Sequence, residues 1–166
     1  IDNNYDSVLP NNVKSIIYNS ESRITRSTYT ESNKLSFPEN LEKIEFPDIL
    51  NEVFEIDAIY PRNLKYIKLG NRYNESIEWI NNNNVPKLET LIIGNKFNRP
   101  LHENLPISLV KIDFGWEFNN PLNKCLINLK NLRFLRLSDD FNENIHNELP
   151  ENIRSIQIGR EFKFDV

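Results

Sequence analysis

Seven times along this chain an apolar residue opens the same short pattern, and no other feature narrows the possible folds as far. The segments Leu105 to Leu122 (LPISLVKIDFGWEFNNPL) and Tyr60 to Ile77 (YPRNLKYIKLGNRYNESI) match position for position, and related stretches begin near Leu9, Phe37, Val85, Leu129 and Leu149. Taking the first apolar residue of each as an anchor gives Val13, Leu41, Leu64, Leu88, Leu109, Leu132 and Ile153, with steps of 28, 23, 24, 21, 23 and 21 residues. A unit this short cannot bury an apolar face by itself. It must stack on its neighbours, so the chain is read as one coil of successive turns.

Glycine and proline test that register independently. All four glycines, Gly70, Gly94, Gly115 and Gly159, stand six residues after an anchor, and Ser138 takes the place in the sixth turn. Six of the nine prolines (Pro10, Pro38, Pro61, Pro86, Pro106 and Pro150) stand two or three residues before one, and Pro100 and Pro121 share a second column. Chance would scatter them.

Within each turn the anchor begins an LxxLxL pattern, as in Ile67 and Leu69, Leu91 and Ile93, or Ile112 and Phe114. Its last part alternates with period two, which predicts a short strand with one buried face, and strands from successive turns of one coil must run parallel. Proline ahead of the strand fixes φ and withholds a donor where pairing begins. Glycine after it is expected to permit a tight turn, at positive φ. Ten residues after the anchor stands an asparagine in five turns: Asn51, Asn74, Asn98, Asn119 and Asn142. An aromatic or leucine precedes it, and an apolar residue follows three positions later, as with Phe97, Asn98 and Leu101. A side-chain amide both donates and accepts, so stacked turns are expected to form an asparagine ladder, its amides buried, beside a spine of aromatic rings.

The FN-x-P-[LI] and LP-x-x-L signatures, as in FNRPL from Phe97 and FNNPL from Phe118, resemble FNIP repeats. That family is a variant of leucine-rich repeats, common in social amoebae and in giant viruses that infect amoebae. The likeness covers residues 37 to 166; the first turn has Ser22 and Arg23 in place of the FN pair, and the last has Lys163 after Phe162. The resemblance implies an α/β leucine-rich-repeat-like right-handed solenoid, with about seven short parallel strands forming a concave sheet and irregular or short helical returns. Residues 1–36 are read as a degenerate capping turn with a polar loop from residue 19, and residues 37–166 as six turns of the same single domain. In the family such repeats often follow an F-box, which implies the substrate-receptor part of a ubiquitin ligase. No F-box is visible in these residues.

Composition narrows the function classes. The chain of 166 residues carries a formal charge of −4, which argues against nucleic-acid binding through bulk charge. No apolar run is long enough to span a membrane, and no signal peptide is visible, which predicts a cytoplasmic protein, in a host cell or a virion if viral. The chain starts at Ile1 rather than methionine, as expected of a segment or processed form. Cys125 is the only cysteine, which excludes an intrachain disulfide and a cysteine metal cluster.

The outward strand positions, two and four residues after each anchor, are the expected partner-binding face. The candidates are Lys43, Tyr66, Lys68, Ile92, Lys111, Asp113, Phe134 and Arg136, with Trp116 at the rim. Aromatics exposed among Arg and Lys suit a protein-binding hot spot. A nucleic acid is disfavoured by the interspersed Glu45 and Asp113. Chemistry is not expected. His102 and His146 share a column two turns apart, roughly 10 Å, too far to hold one metal ion. Cys125 reads as a buried thiol, and Asp139, Asp140 and Glu117 as solvated loop charges. The Asn74-Glu75-Ser76 sequon is expected to be blocked by the ladder, and the Asn81 to Asn84 run reads as a polar loop. No metal, cofactor or catalytic residue is therefore assigned. The function expected is non-enzymatic recognition of another protein; the alternative is an architectural module of an assembly such as a viral particle, with self-association at the open ends.

Overall fold

A computed structural model describes residues 9–19, 37–51 and 61–164. Seven three-residue strands run in chain order: β1 Ser15–Ile17, β2 Lys43–Glu45, β3 Tyr66–Lys68, β4 Thr90–Ile92, β5 Lys111–Asp113, β6 Phe134–Arg136 and β7 Ser155–Gln157. They pair side by side in that order, all parallel, in one sheet. Equivalent residues lie opposite one another, so that Ile67 faces Leu91 and Leu91 faces Ile112. Every strand begins two residues after its anchor, which pins the register; a slip of one residue would turn these apolar side chains into solvent. The turn before a strand is closed by the carbonyl three residues before the anchor, which accepts the anchor N–H; it belongs to proline for Leu41, Leu64 and Leu109, at 2.9–3.1 Å, and to Val85 and Leu129 for Leu88 and Leu132. Among the described residues the returns form no helix; they are turns and bends, which fits repeats of 21–24 residues. The polar loop expected over residues 20–36, and Phe54 of the apolar column, lie outside the described residues.

The core follows the columns. Ile44, Ile67, Leu91, Ile112 and Leu135, at the centres of β2 to β6, are at most 2% exposed, whereas Ile16 and Ile156 at the two ends are only half-buried. Phe97, Phe118, Phe141 and Phe162 stack in successive turns, with centroids 5.9, 5.9 and 6.2 Å apart and planes within 17° of parallel. Adjacent strands sit about 4.8 Å apart. The wider spacing of equivalent rings means that the turns fan open away from the sheet, so the strand face is the inside of the curve.

The glycine column serves a different purpose from the one the sequence suggests. Only Gly115 has a positive φ, at +68°. The others are required by close approach between backbones: a Cβ on Gly94 would lie 1.8 Å from the carbonyl oxygen of Gly70 in the turn before.

The asparagine ladder is continuous. The Oδ1 of Asn51 accepts the backbone N–H of Asn74, Asn74 that of Asn98, Asn98 that of Asn119, and Asn119 that of Asn142, all at 2.8–2.9 Å. Asn142 in turn accepts the N–H of Lys163 at 3.1 Å. Each side chain therefore serves the next turn, and the last needs only a backbone N–H, which accounts for lysine there. The amides are not buried as expected: Asn51, Asn98 and Asn119 are exposed and Asn74 and Asn142 half-buried, because the ladder runs along the edge of the coil, outside the aromatic spine. Asn98 Oδ1 also accepts from Asn120 Nδ2 at 2.6 Å. We predict that Asn98→Ala lowers unfolding free energy by about 1–2 kcal/mol, one or two net hydrogen bonds, while Lys163→Ala changes it by less than about 0.5 kcal/mol. Urea titration of both variants checks this, and equal effects would remove the ladder's role.

Candidate functional site

The sheet presents its outward side chains in straight rows because the register never slips. One row runs Lys43, Tyr66, Thr90, Lys111, Phe134, and a second runs Glu45, Lys68, Ile92, Asp113, Arg136. Much of the first half is occupied with itself. Glu45 holds Lys43 at 2.8 Å and Lys68 at 3.8 Å, and Lys43 also sits 4.8 Å from the centroid of the Tyr66 ring. The bond to Glu45 pushes the Lys43 ammonium above its ordinary range, and burial, then Glu45, raises the Tyr66 phenol. Farther along, Arg136 Nη1 donates to Asp113 Oδ1 and to the Gly115 carbonyl, both at 2.9 Å, while the Gly115 N–H donates to the same Asp113 oxygen at 3.1 Å. Asp113 and Arg136 thus clamp the strand exit at the one glycine with positive φ. Lys111, Trp116 and Phe134 stand apart from these networks: the two aromatics are 56% and 48% exposed, and among the described residues Lys111 makes no ion pair.

Two further rows share this face, and the sequence reading passed over both. The residue just after each anchor is charged in six of seven turns: Lys14, Glu42, Lys65, Glu89, Arg133 and Arg154, with Val110 between. Glu42 sits between Lys65 at 2.9 Å and Lys14 at 3.1 Å, and these hold its carboxyl below the usual carboxylate range. The residue just before the anchor is asparagine in five turns. Asn40, Asn131 and Asn152 donate their Nδ2 to a carbonyl of the preceding turn at 3.1–3.3 Å, a second ladder ahead of the sheet. At the start of the coil the two rows border a groove of about 340 Å³ that includes Asn12, Asn63 and Lys87. The signal was legible as LP-x-N-L, in which the asparagine was as regular as the proline.

The other candidate chemistry disperses. His102 Nε2 lies 3.1 Å from the Ile77 carbonyl of the preceding turn, while His146 is exposed. No group of His, Cys, Asp or Glu among the described residues could hold a metal ion. Cys125 is 6% exposed, and burial, then Glu103 and Glu148, pushes its thiol up, away from a reactive thiolate. Asp139 is 3.8 Å from Arg136 and 3.7 Å from Arg160, and Glu117 pairs with Lys96. The Asn81 to Asn84 run is knit rather than loose: Asn81 Oδ1 accepts the N–H groups of Asn83 and Asn84, and Asn84 Nδ2 donates to the Trp79 carbonyl at 2.9 Å. Tyr73, buried against Trp79 with its hydroxyl donating to the Ser76 carbonyl at 2.8 Å, has a phenol pushed up to about 12 by burial. No described helix is long and apolar enough to cross a membrane.

In-register parallel strands on one face and stacked aromatics behind them define a leucine-rich-repeat type of solenoid, a class that serves as protein-interaction scaffolds. The FNIP Repeat family profile matches residues 97–139, the turns that carry FNRPL and FNNPL. Among solved structures the chain is similar to CroV588, described as a novel circular LRR protein, with a TM-score of 0.63 and 26% identity over 93% of this chain. The chain spans 28% of that protein's length. No curated protein matches it.

Proposed function

We propose that this chain is a non-enzymatic recognition module that takes another protein across its strand face. The observation that carries this is Phe134, 48% exposed and opposite Lys111, which makes no ion pair among the described residues, with Trp116, 56% exposed, just beyond the end of β5. Rigid aromatics next to a cation supply binding energy at little entropic cost. If an F-box precedes these turns in the full protein, the module would select substrates for a ubiquitin ligase. Phe134→Ala combined with Tyr66→Ala is expected to weaken partner capture at least about tenfold and to move the thermal midpoint by less than about 4 °C. Affinity purification of the full-length protein with quantitative mass spectrometry, paired with a thermal melt, checks both. Unchanged capture would sink the strand-face reading, and a collapsed fold would mean that these side chains face inward.

A second, architectural reading draws on two observations. Strand β7 pairs only with β6 among the described residues, and the similar CroV588 is described as circular. In that reading the turns are an arc of a larger assembly. Purification that returned only further copies of the chain, or coat proteins, would favour it.

A further inference from the structure

Charge is segregated on this molecule far more than its total of −4 suggests. The four outward rows of the strand side hold nine basic and four acidic residues, +5, which leaves −9 for everything else. Most of the excess is concentrated. Lys14 and Lys65 are engaged by Glu42, Lys43 and Lys68 by Glu45, and Arg136 by Asp113. Lys111, Arg133 and Arg154 pair with no carboxylate among the described residues. They occupy three successive turns, tied by backbone bonds from Arg154 to Arg133 and from Arg133 to Val110, each 2.9 Å. Arg133 is held in place by its own carbonyl contacts, Nη1 donating to Lys130 at 2.7 Å and to Leu132 at 3.1 Å. In the same rows Phe134 lies opposite Lys111 on one side and Ser155 on the other.

We infer that the strand face of the last three turns binds an acidic, extended peptide segment that seats an apolar side chain on Phe134 between carboxylates held by Lys111, Arg133 and Arg154. This rests on the protein-recognition reading and gives it a partner chemistry. Three strands at about 4.8 Å spread the cations over roughly 10 Å, the reach of three residues of extended chain. Carboxylates on either side of an apolar anchor match that layout, and the guanidinium groups grip them in paired hydrogen bonds. A nucleic acid fits less well. Its charge continues past the patch, onto a chain that carries −7 outside these three cations.

Selection of a random peptide display library on the chain, followed by fluorescence anisotropy with the enriched peptides, tests the inference. Enriched sequences are expected to be acidic with a central apolar residue. Their affinity is expected to fall at least about tenfold for Arg133→Gln with Arg154→Gln and for Phe134→Ala, to weaken with added salt, and to stay unchanged for Lys14→Gln; circular dichroism confirms that each variant is folded. Neutral or basic winners, no enrichment, indifference to these substitutions, or tighter binding to an oligo-dT strand would each overturn it. If the peptide results fail while Tyr66→Ala with Phe134→Ala still abolishes native partner capture, the acidic assignment falls and the strand-face reading stands. If capture is also unaffected, both fall.

Discussion

Gly94→Ala is expected to cost at least about 4 kcal/mol, a loss reserved for substitutions that a packed structure cannot absorb. The reason lies entirely in backbone. An added Cβ would meet the Gly70 oxygen at 1.8 Å, the Gly70 carbonyl carbon at 2.6 Å and Asn71 Cα at 2.9 Å. No flexible side chain is present to rotate away, so relief requires two turns to part. Parting them stretches the bond from the Lys96 N–H to the Asn71 carbonyl, 2.9 Å, and weakens the pairing of β3 with β4. In a one-dimensional stack each turn is stabilised through its interfaces with its neighbours, so the damage spreads. Gly115→Ala provides the contrast. There the added Cβ also meets backbone, but less closely, at 2.7 Å from the Gly94 oxygen, and the left-handed conformation, φ +68°, adds about 1–2 kcal/mol. Urea denaturation followed by circular dichroism ranks the two. A Gly94→Ala protein as stable as Gly115→Ala would mean that the turns lie farther apart at Gly94 than the glycine spacing implies.

This pair also shows what the sequence could and could not reveal. A column of four glycines is plain in the register, and its position after the strand is right. Its cause is not, because two demands select the same residue: positive φ within a turn, and room for a carbonyl from the turn before. Spacing alone cannot separate a local requirement from one between turns. The strands, by contrast, were legible to the residue. The buried centre of β3, Ile67, and its outward flanks Tyr66 and Lys68 follow from alternation fixed by the anchor. The asparagine ladder was legible as a column, while its exposure was not; a ladder side chain needs a neighbour to bond with, and that is satisfied as well at an edge as in a core. At the candidate site strict alternation does not reach Arg133 and Arg154. They flank strands of only three residues, whose ends release the chain from the two-faced rule.

Phe118→Ala is expected to lower unfolding free energy by about 3–5 kcal/mol, the range for a large aromatic removed from a core that cannot close over the gap. Phe118 is fully buried and contacts three rings: Phe114 at 4.3 Å, and Phe97 and Phe141 each at 5.9 Å between centroids. Deleting it takes one stacking partner from each of the rings above and below, and turns locked by strand pairing and the asparagine ladder cannot slide together to fill the space. Phe118→Leu keeps most of the buried volume and loses the stacking, so about 1 kcal/mol is expected there. Phe162→Ala, at the half-buried end of the spine with Phe141 on one side and the exposed Phe164 on the other, is expected to cost less than Phe118→Ala. Position in the stack should matter in a second way. A break in the middle separates the coil into two short runs of turns, whereas a loss at the end only frays it. Native-state hydrogen exchange on Phe118→Ala should therefore show β6 and β7 opening at lower free energy than β3 and β4, while Phe162→Ala should alter β7 alone. A uniform loss of protection in both variants would mean that the seven turns unfold as one unit, and that the aromatic spine stabilises the coil without dividing it.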